Sequence, residues 1–405
     1  MSSAGIERML AGLIESSHLR TVDDLPGLLA VHTPQAGFAQ VLIYLADLQQ
    51  QVMRLLKGPG TDGAPEELEV ERGTPGRAFQ EIRTLPGDSG FWWVPILNGT
   101  NRLGVLRVRM DDLPLDHATA RHLSSVIALL LVSMRNYSDT FARTIRTREM
   151  NVAAEMQWRL IPPLTFANDR VTVSAVLEPA YEVGGDAFDY AIAGDVLHVA
   201  VFDAMGHDVS AGLTANLAMA ACRNNRRQDY PLARNSEDIE NVLIAEFGRA
   251  QRFVTAIMGD LDLNTGLFRW VNRGHPPPIL LRGGRWITTL ECLPAHPMGL
   301  DLGLSVTTCH EQLEAGDRLI FYTDGITEIR DASGREFGVH RFMEFVMRNQ
   351  SSGLPVPETL RRLIQAVLGY HRGVLRDDAT VVLVEWKGPE TDRELETADW
   401  PIPRS

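Results

Sequence analysis

The sequence predicts an α+β protein built in more than one part. Up to about residue 110, short amphipathic helices precede strand-like segments. From 123 to 160, apolar residues recur at helical spacing. From 171 onward, strands alternate with glycine turns. A chain of 405 residues exceeds one ordinary core and suits two or three domains.

Taken in order, Ile6, Met9, Leu10 and Leu13 make one helical stripe, and Leu25, Leu28 and Leu29 a second. Thr21 or Asp24 is placed to cap the second helix, and Pro26 is tolerated in its first turn. Strands are expected at 40–45, 52–56 and 68–70, a short helix at 73–82, and a hairpin of 91–97 with 102–108 around Asn98-Gly99-Thr100-Asn101. Leu123, Ile127, Leu130, Met134, Tyr137 and Phe141 follow the spacing of a coiled-coil seam. Ile145, Val152, Met156 and Leu160 continue it on a shifted phase, as after a stutter. One long helix over 121–165, ended by Pro162-Pro163, is therefore expected, with its apolar part near 126–132 lying on the sheet of its own domain and two protomers meeting along 137–160. Beyond it, strands are expected at 171–177, 196–202, 253–263, 267–272, 319–322 and 379–385. Helices are expected at 208–223, at 236–249 with Ser236 as cap, at 341–348 and at 358–370. After Trp386 the chain turns polar, which suits a tail over 389–405.

A hydrophobic fraction of 44% with 22% charged residues is that of a soluble globular chain. The net charge of −13 argues against general binding to nucleic acid or anionic membrane, since no broad basic field exists. Val126 to Val132 is the longest apolar run, too short for a bilayer span. Cys222, Cys292 and Cys309 are spaced for neither a disulfide framework nor a metal knuckle, so a cytoplasmic location is expected.

The chemistry concentrates on acidic residues at strand ends and glycine turns: Asp186, Asp203, Asp324, and Asp377 or Asp378. One such residue is ordinary turn chemistry. Four that converge at one sheet edge would repel each other unless cations neutralise them, and hard carboxylate oxygens suit Mg²⁺ or Mn²⁺. No GxSxG, Cys-x5-Arg or Walker A pattern offers a nucleophile or phosphate loop, so a water activated by metal is the expected attacking group.

Two resemblances follow. GTPGRAFQEIRTL and FWWVPILNGTNRLGVLRVRM resemble the second half of a GAF domain. That implies a regulatory or dimerising module over 1–120, with an unknown small-molecule or protein signal. Gly184-Gly185-Asp186-Ala187-Phe188 resembles the diguanylate-cyclase signature GGDEF, with Ala in the Glu position, but the downstream motifs decide against it. LEPAYEVGGDAFDY, VFDAMGHDVSAGL, FVTAIMGDLD, NRGHPPPILL, LEAGDRLIFYTDGITEIRD, GREFG and RDDATVVLV stand in the family order of the SpoIIE/RsbU branch of the PPM (type-2C-like) serine/threonine protein phosphatases, and MQWRLIPP resembles the segment that precedes them.

The resemblance implies a β-sandwich flanked by helices on both faces over 166–388, after a linker helix over 121–165. It implies two divalent cations, Mn²⁺ or Mg²⁺, held by Asp186, Asp203, the carbonyl of Ala204, Asp324 and Asp377, with Asp203 bridging and Asp378 ranked second to Asp377. It also implies a phosphoserine or phosphothreonine substrate on a STAS-type anti-sigma-factor antagonist, and a homodimer. Asp208 replaces the last Gly of the usual D-x-x-G-H-G and suits a helix cap. Arg273 replaces the Ala of N-A-G-H; phosphate contact and a solvated strand position both remain open for it. Asp189, His207 and His275 are read as supporting positions around the metal site. A non-catalytic phosphoprotein-binding module and a hydrolase of small phosphate esters are the rival readings.

Overall fold

The computed structural model describes residues 3–111, 114–182, 184–206, 208–284, 286–329, 336–350, 356–370 and 378–389. Two compact units divide the chain between Glu149 and Met150. Among the described residues, no helix is long and apolar enough to cross a membrane.

The first unit holds α1 (Ser3–Ser17), α2 (Leu25–His32), β1 (Phe38–Ala46), β2 (Val52–Leu55), β3 (Glu67–Glu69), α3 (Gly73–Glu81), β4 (Leu85–Pro86), β5 (Phe91–Asn98), β6 (Asn101–Met110), α4 (His117–Met134) and α5 (Asp139–Ile145). Its antiparallel sheet runs β3-β2-β1-β6-β5-β4. Alternation along β1 sends Val41, Ile43 and Leu45 to a core shared with α1, α2 and α4, and Leu42 and Tyr44 to a second core with Phe79 of α3.

The second unit holds α6 (Val152–Leu160), β7 (Thr165–Ala167), β8 (Val171–Glu178), β9 (Asp186–Ala193), β10 (Val196–Ala204), α7 (Val209–Arg226), α8 (Leu232–Phe247), β11 (Val254–Asp262), β12 (Leu267–Arg273), β13 (Ile279–Arg282), β14 (Trp286–Thr289), β15 (Thr308–Gln312), β16 (Arg318–Tyr322), α9 (Asp324–Thr327), α10 (Gly338–Gln350), α11 (Val356–Tyr370) and β17 (Ala379–Trp386). One sheet runs β15-β12-β11-β10-β9 and the other β14-β13-β16-β17-β8-β7. Val173, Leu177, Phe321 and Val382 of one sheet share a core with Phe188, Val201, Ile257 and Phe268 of the other, which makes a β-sandwich. Ala215, Met219, Ile239 and Leu243 of α7 and α8 cover the outer face of the first sheet. Phe342, Leu360 and Leu363 of α10 and α11 cover that of the second.

Four expectations change. The single helix over 121–165 is three helices, because Ser138 and Asn151 accept backbone N–H groups and start new ones at α5 and α6. The apolar first part of the run packs on its own sheet, as expected. Leu123, Ile127 and Met134 lie in the first unit's own core, where each buried side chain is worth roughly 1.5–3 kcal/mol. Asp23 holds α5 by accepting from Ser138 Oγ at 2.6 Å and Thr140 Oγ1 at 2.5 Å. Second, α8 begins at Leu232, so Ser236 lies inside it, buried, with Oγ donating to the Ala233 carbonyl. Third, the cap of α2 is indirect. Asp24 accepts from the Thr21 amide at 3.0 Å to brace the short turn that precedes the helix. Fourth, Cys292 and Cys309 form a disulfide. The segment 292–309 leaves one sheet and returns to the edge of the other, which brings together two cysteines that are distant in sequence. Of the tail expected over 389–405, everything beyond residue 389 lies outside the described residues.

Candidate metal centre

β9 starts at Asp186 and β10 ends one residue past Asp203. The hairpin register places these two residues directly opposite each other. Cross-strand partners on one face approach to about 4.5–5.5 Å between Cβ atoms. Asp186 is buried and Asp203 half-buried, so the pair sits at the rim of the sandwich with one carboxylate inside and one reaching outward. Ala204 follows, its N–H donating to the Gly185 carbonyl at 3.0 Å. A Cβ on Gly185 would stand 2.2 Å from the Ala204 carbonyl oxygen, so only glycine lets the turn close on that oxygen.

The other sheet supplies the remaining acids. Thr323 and Asp324 follow β16, and Asp378 precedes β17. Thr323 Oγ1 donates to Asp186 Oδ2 at 2.6 Å and accepts from the Thr380 amide at 2.9 Å. Asp324 is half-buried at the start of α9. Gly325 beside it packs on the chain at Asp378, where a Cβ would fall 1.7 Å from the Asp378 carbonyl oxygen. The buried Asp378 carboxylate accepts from the amides of Gly184, at 2.8 Å, and Asp186, at 3.0 Å. Asp377 and His207 lie outside the described residues.

Burial, then the carboxylates of Asp378 and Asp203, push the Asp186 pKa well above the usual carboxylate range. The hydrogen bond from Thr323 pulls it back in part. A buried acid that faces two others is the arrangement a hard cation relieves, and every donor is oxygen, as Mg²⁺ and Mn²⁺ prefer. Among the described residues, no group of three or more His, Cys, Asp or Glu side chains is arranged to hold an ion. The donor chemistry therefore fits a divalent cation, while a full ligand set needs more than the described side chains.

The supporting positions divide. Asp189, buried on β9, accepts from Arg223 Nη2 at 2.6 Å and Arg226 Nη1 at 2.7 Å, and so ties α7 to the sheet. His275 is buried, with Nδ1 2.8 Å from Thr255 Oγ1 and Nε2 3.1 Å from the Tyr322 carbonyl. The carbonyl can only accept, so Nε2 carries the proton and Nδ1 accepts from the Thr255 hydroxyl. Burial brings the His275 pKa down to about 4, against the opposing pull of the Tyr322 hydrogen bond. Asp208 caps α7, accepting from the Ala211 amide at 2.8 Å.

Arg273 is neither solvated nor turned to a phosphate. It is fully buried, with Nη2 2.5 Å from Glu240 Oε2 and Nε donating to the His296 carbonyl at 2.9 Å. Glu240 also meets His296 Nε2 and the amides of Gly299 and Asp301, so the cluster fastens the segment 296–301 to α8. Sequence reasoning missed Thr323, Thr380 and Gln157, whose side chain donates to the Asp186 carbonyl. Both threonines lie beside the acids in TDG and DDAT, a signal that was present in the sequence and that turn chemistry masked.

Residues 193–387 match the family described as Stage II sporulation protein E (SpoIIE). Protein IcfG of Synechocystis is 24% identical over 265 residues, which is 58% of this chain and 41% of that protein. Phosphoserine phosphatase RsbU of Bacillus subtilis is 21% identical over 245 residues, 59% of this chain and 70% of that protein. The chain thus spans under half the length of the first of these relatives. Among solved structures, the RsbU and RsbW domains of Rv1364c from Mycobacterium tuberculosis align at 25% identity and a TM-score of 0.49, covering 57% of this chain and 64% of that one.

Proposed function

We propose that the chain is a metal-dependent phosphatase acting on phosphoserine or phosphothreonine in a regulatory protein, a reading supported by the match of residues 193–387 to the SpoIIE family. The observation that carries this reading is the opposed pair Asp186 and Asp203, with Asp378 of the other sheet on the Asp186 amide and Thr323 on its buried carboxylate. The phosphoserine activity in the name of the Bacillus relative RsbU supports the substrate class. The motif resemblance supports a STAS-type anti-sigma-factor antagonist as the protein that carries the phosphate.

Asp186, Asp203, the Ala204 carbonyl, Asp324 and Asp377 would hold two divalent cations, Mn²⁺ or Mg²⁺. When bound, these would supply positive charge for phosphoryl oxygens and make a water nucleophilic near neutral pH. Asp377 is preferred to Asp378 because the Asp378 carboxylate already serves two backbone amides. Thr323 fixes one oxygen of Asp186. His275, neutral near pH 7 and locked between Thr255 and Tyr322, shapes the loop and moves no proton in the reaction. The first unit, a six-stranded sheet with helices on both faces, is proposed as a GAF-like regulatory module, its signal a small molecule or a protein.

The test is release of phosphate from a phosphoseryl STAS-domain protein with Mn²⁺ and with chelator. Hydrolysis that depends on Mn²⁺ and falls at least a hundredfold in Asp203→Asn is the expected result. Equal turnover in Asp203→Asn, or none with any metal, would remove the proposal. The same assay with and without residues 1–149 measures control by the first unit.

A further inference from the structure

The short helix α6 grips the turn that delivers Asp186 at three main-chain points. The Asn151 amide donates to the Tyr181 carbonyl at 2.9 Å, Trp158 Nε1 to the Ala180 carbonyl at 2.7 Å, and Gln157 Nε2 to the Asp186 carbonyl. Behind the turn, α6 meets α7 without slack. A Cβ on Gly212 would stand 2.8 Å from the Ala153 Cβ and 3.1 Å from the Gly184 carbonyl oxygen. In front of it, the Asp378 carboxylate takes the amides of Gly184 and Asp186. Asp186 is thus held at its amide by Asp378, at its carbonyl by Gln157 and at its carboxylate by Thr323.

Gln157 is fully buried, and only its donor half is used, for its Oε1 has no hydrogen-bond partner among the described residues. An unpaired buried acceptor costs about 1–3 kcal/mol, so an apolar side chain of this size would serve stability better. What the glutamine adds is direction, because its N–H fixes the main chain of one carboxylate that the centre depends on.

We propose that Gln157 is a positioning residue for Asp186, holding the carboxylate ready for a divalent cation. This rests on the reading of Asp186 as a ligand. Partners of this kind typically change metal affinity by about 10–100-fold. The helix lies outside the family match, which starts at residue 193, and its first residue comes three positions after the first unit ends.

Titration of the full chain with Mn²⁺ by calorimetry, beside thermal melts in chelator, tests the assignment. Gln157→Met keeps the volume and removes the donor; Gln157→Glu keeps the shape and replaces the donor with an acceptor. Both are expected to bind Mn²⁺ about tenfold more weakly. The Met variant should melt in chelator no lower than the parent. A packing role predicts the reverse, a lower melt with unchanged Mn²⁺ affinity, and overturns the proposal. If one variant fails to fold, the other decides on the same criterion. Asp186→Asn separates the two readings. If it loses Mn²⁺ while both Gln157 variants bind like the parent, the positioning role is wrong and the metal centre stands. If Asp186→Asn binds like the parent, the ligand assignment fails and takes the positioning role with it.

Discussion

His275 should make the second unit sensitive to acid in a window set by one buried ring. Its pKa falls to about 4 in the folded protein, from an ordinary value of 6.5, because burial disfavours the charged form. The unfolded chain therefore binds a proton that the folded chain refuses between those two values. Stability rises with pH across that window and is lost as pH falls from about 6.5 toward 4. At about 1.4 kcal/mol per pH unit over this window, the full loss is about 3.5 kcal/mol. Urea midpoints of parent and His275→Gln, taken in chelator from pH 7.5 to 4.5, isolate the contribution, since all other titrating groups are common to both. The parent should lose more stability than the variant below pH 6.5, with curves parallel above it. The His275 ring-proton signals in NMR should not begin to shift until the pH nears 4. Parallel curves throughout, or a ring titrating at 6 or above, would refute both the tautomer and the burial argument.

Three further outcomes follow from the same geometry. Gly325→Ala puts a Cβ 1.7 Å from the Asp378 carbonyl oxygen, so the backbone must yield; a loss of about 3 kcal/mol in chemical denaturation is expected, with weaker Mn²⁺ binding. Asp189→Asn leaves Arg223 and Arg226 without their shared buried carboxylate and should cost about 3 kcal/mol. At saturating Mn²⁺ its turnover should remain near that of the parent, in contrast to Asp203→Asn. Glu240→Gln should loosen the segment 296–301, read as faster amide exchange at Gly299 and Asp301, which now donate to the carboxylate.

Much of the second unit was legible because its signals are local. The Gly194-Asp195 turn and the nearly continuous apolar run from Val196 to Phe202 point to a hairpin, and a hairpin in the observed register puts Asp186 opposite Asp203. Asp208 as a helix cap was equally local, one side chain bonding three residues ahead. The helix over 121–165 was misread because apolar spacing identifies a helical face without saying where one helix stops. Two capping residues inside the run outweigh the periodicity and break it into separate helices. The cysteines were misread for a related reason, since spacing cannot anticipate a loop that leaves one sheet and returns to the edge of another.

By itself the sequence determined the element types and the chemistry at the strand ends: oxygen donors, glycine turns and no side-chain nucleophile. Periodicity, capping and turn preference act over a few residues, and those few residues are adjacent in the chain. The tertiary structure alone decided which partners the acids have. Asp378 reaches the Asp186 amide across 192 positions, Thr323 reaches its carboxylate across 137, and Gln157 reaches its carbonyl across 29. Such contacts form only when two sheets close over one core, and neither hydrophobic pattern nor local propensity records which pairs of strand ends that closure will bring together.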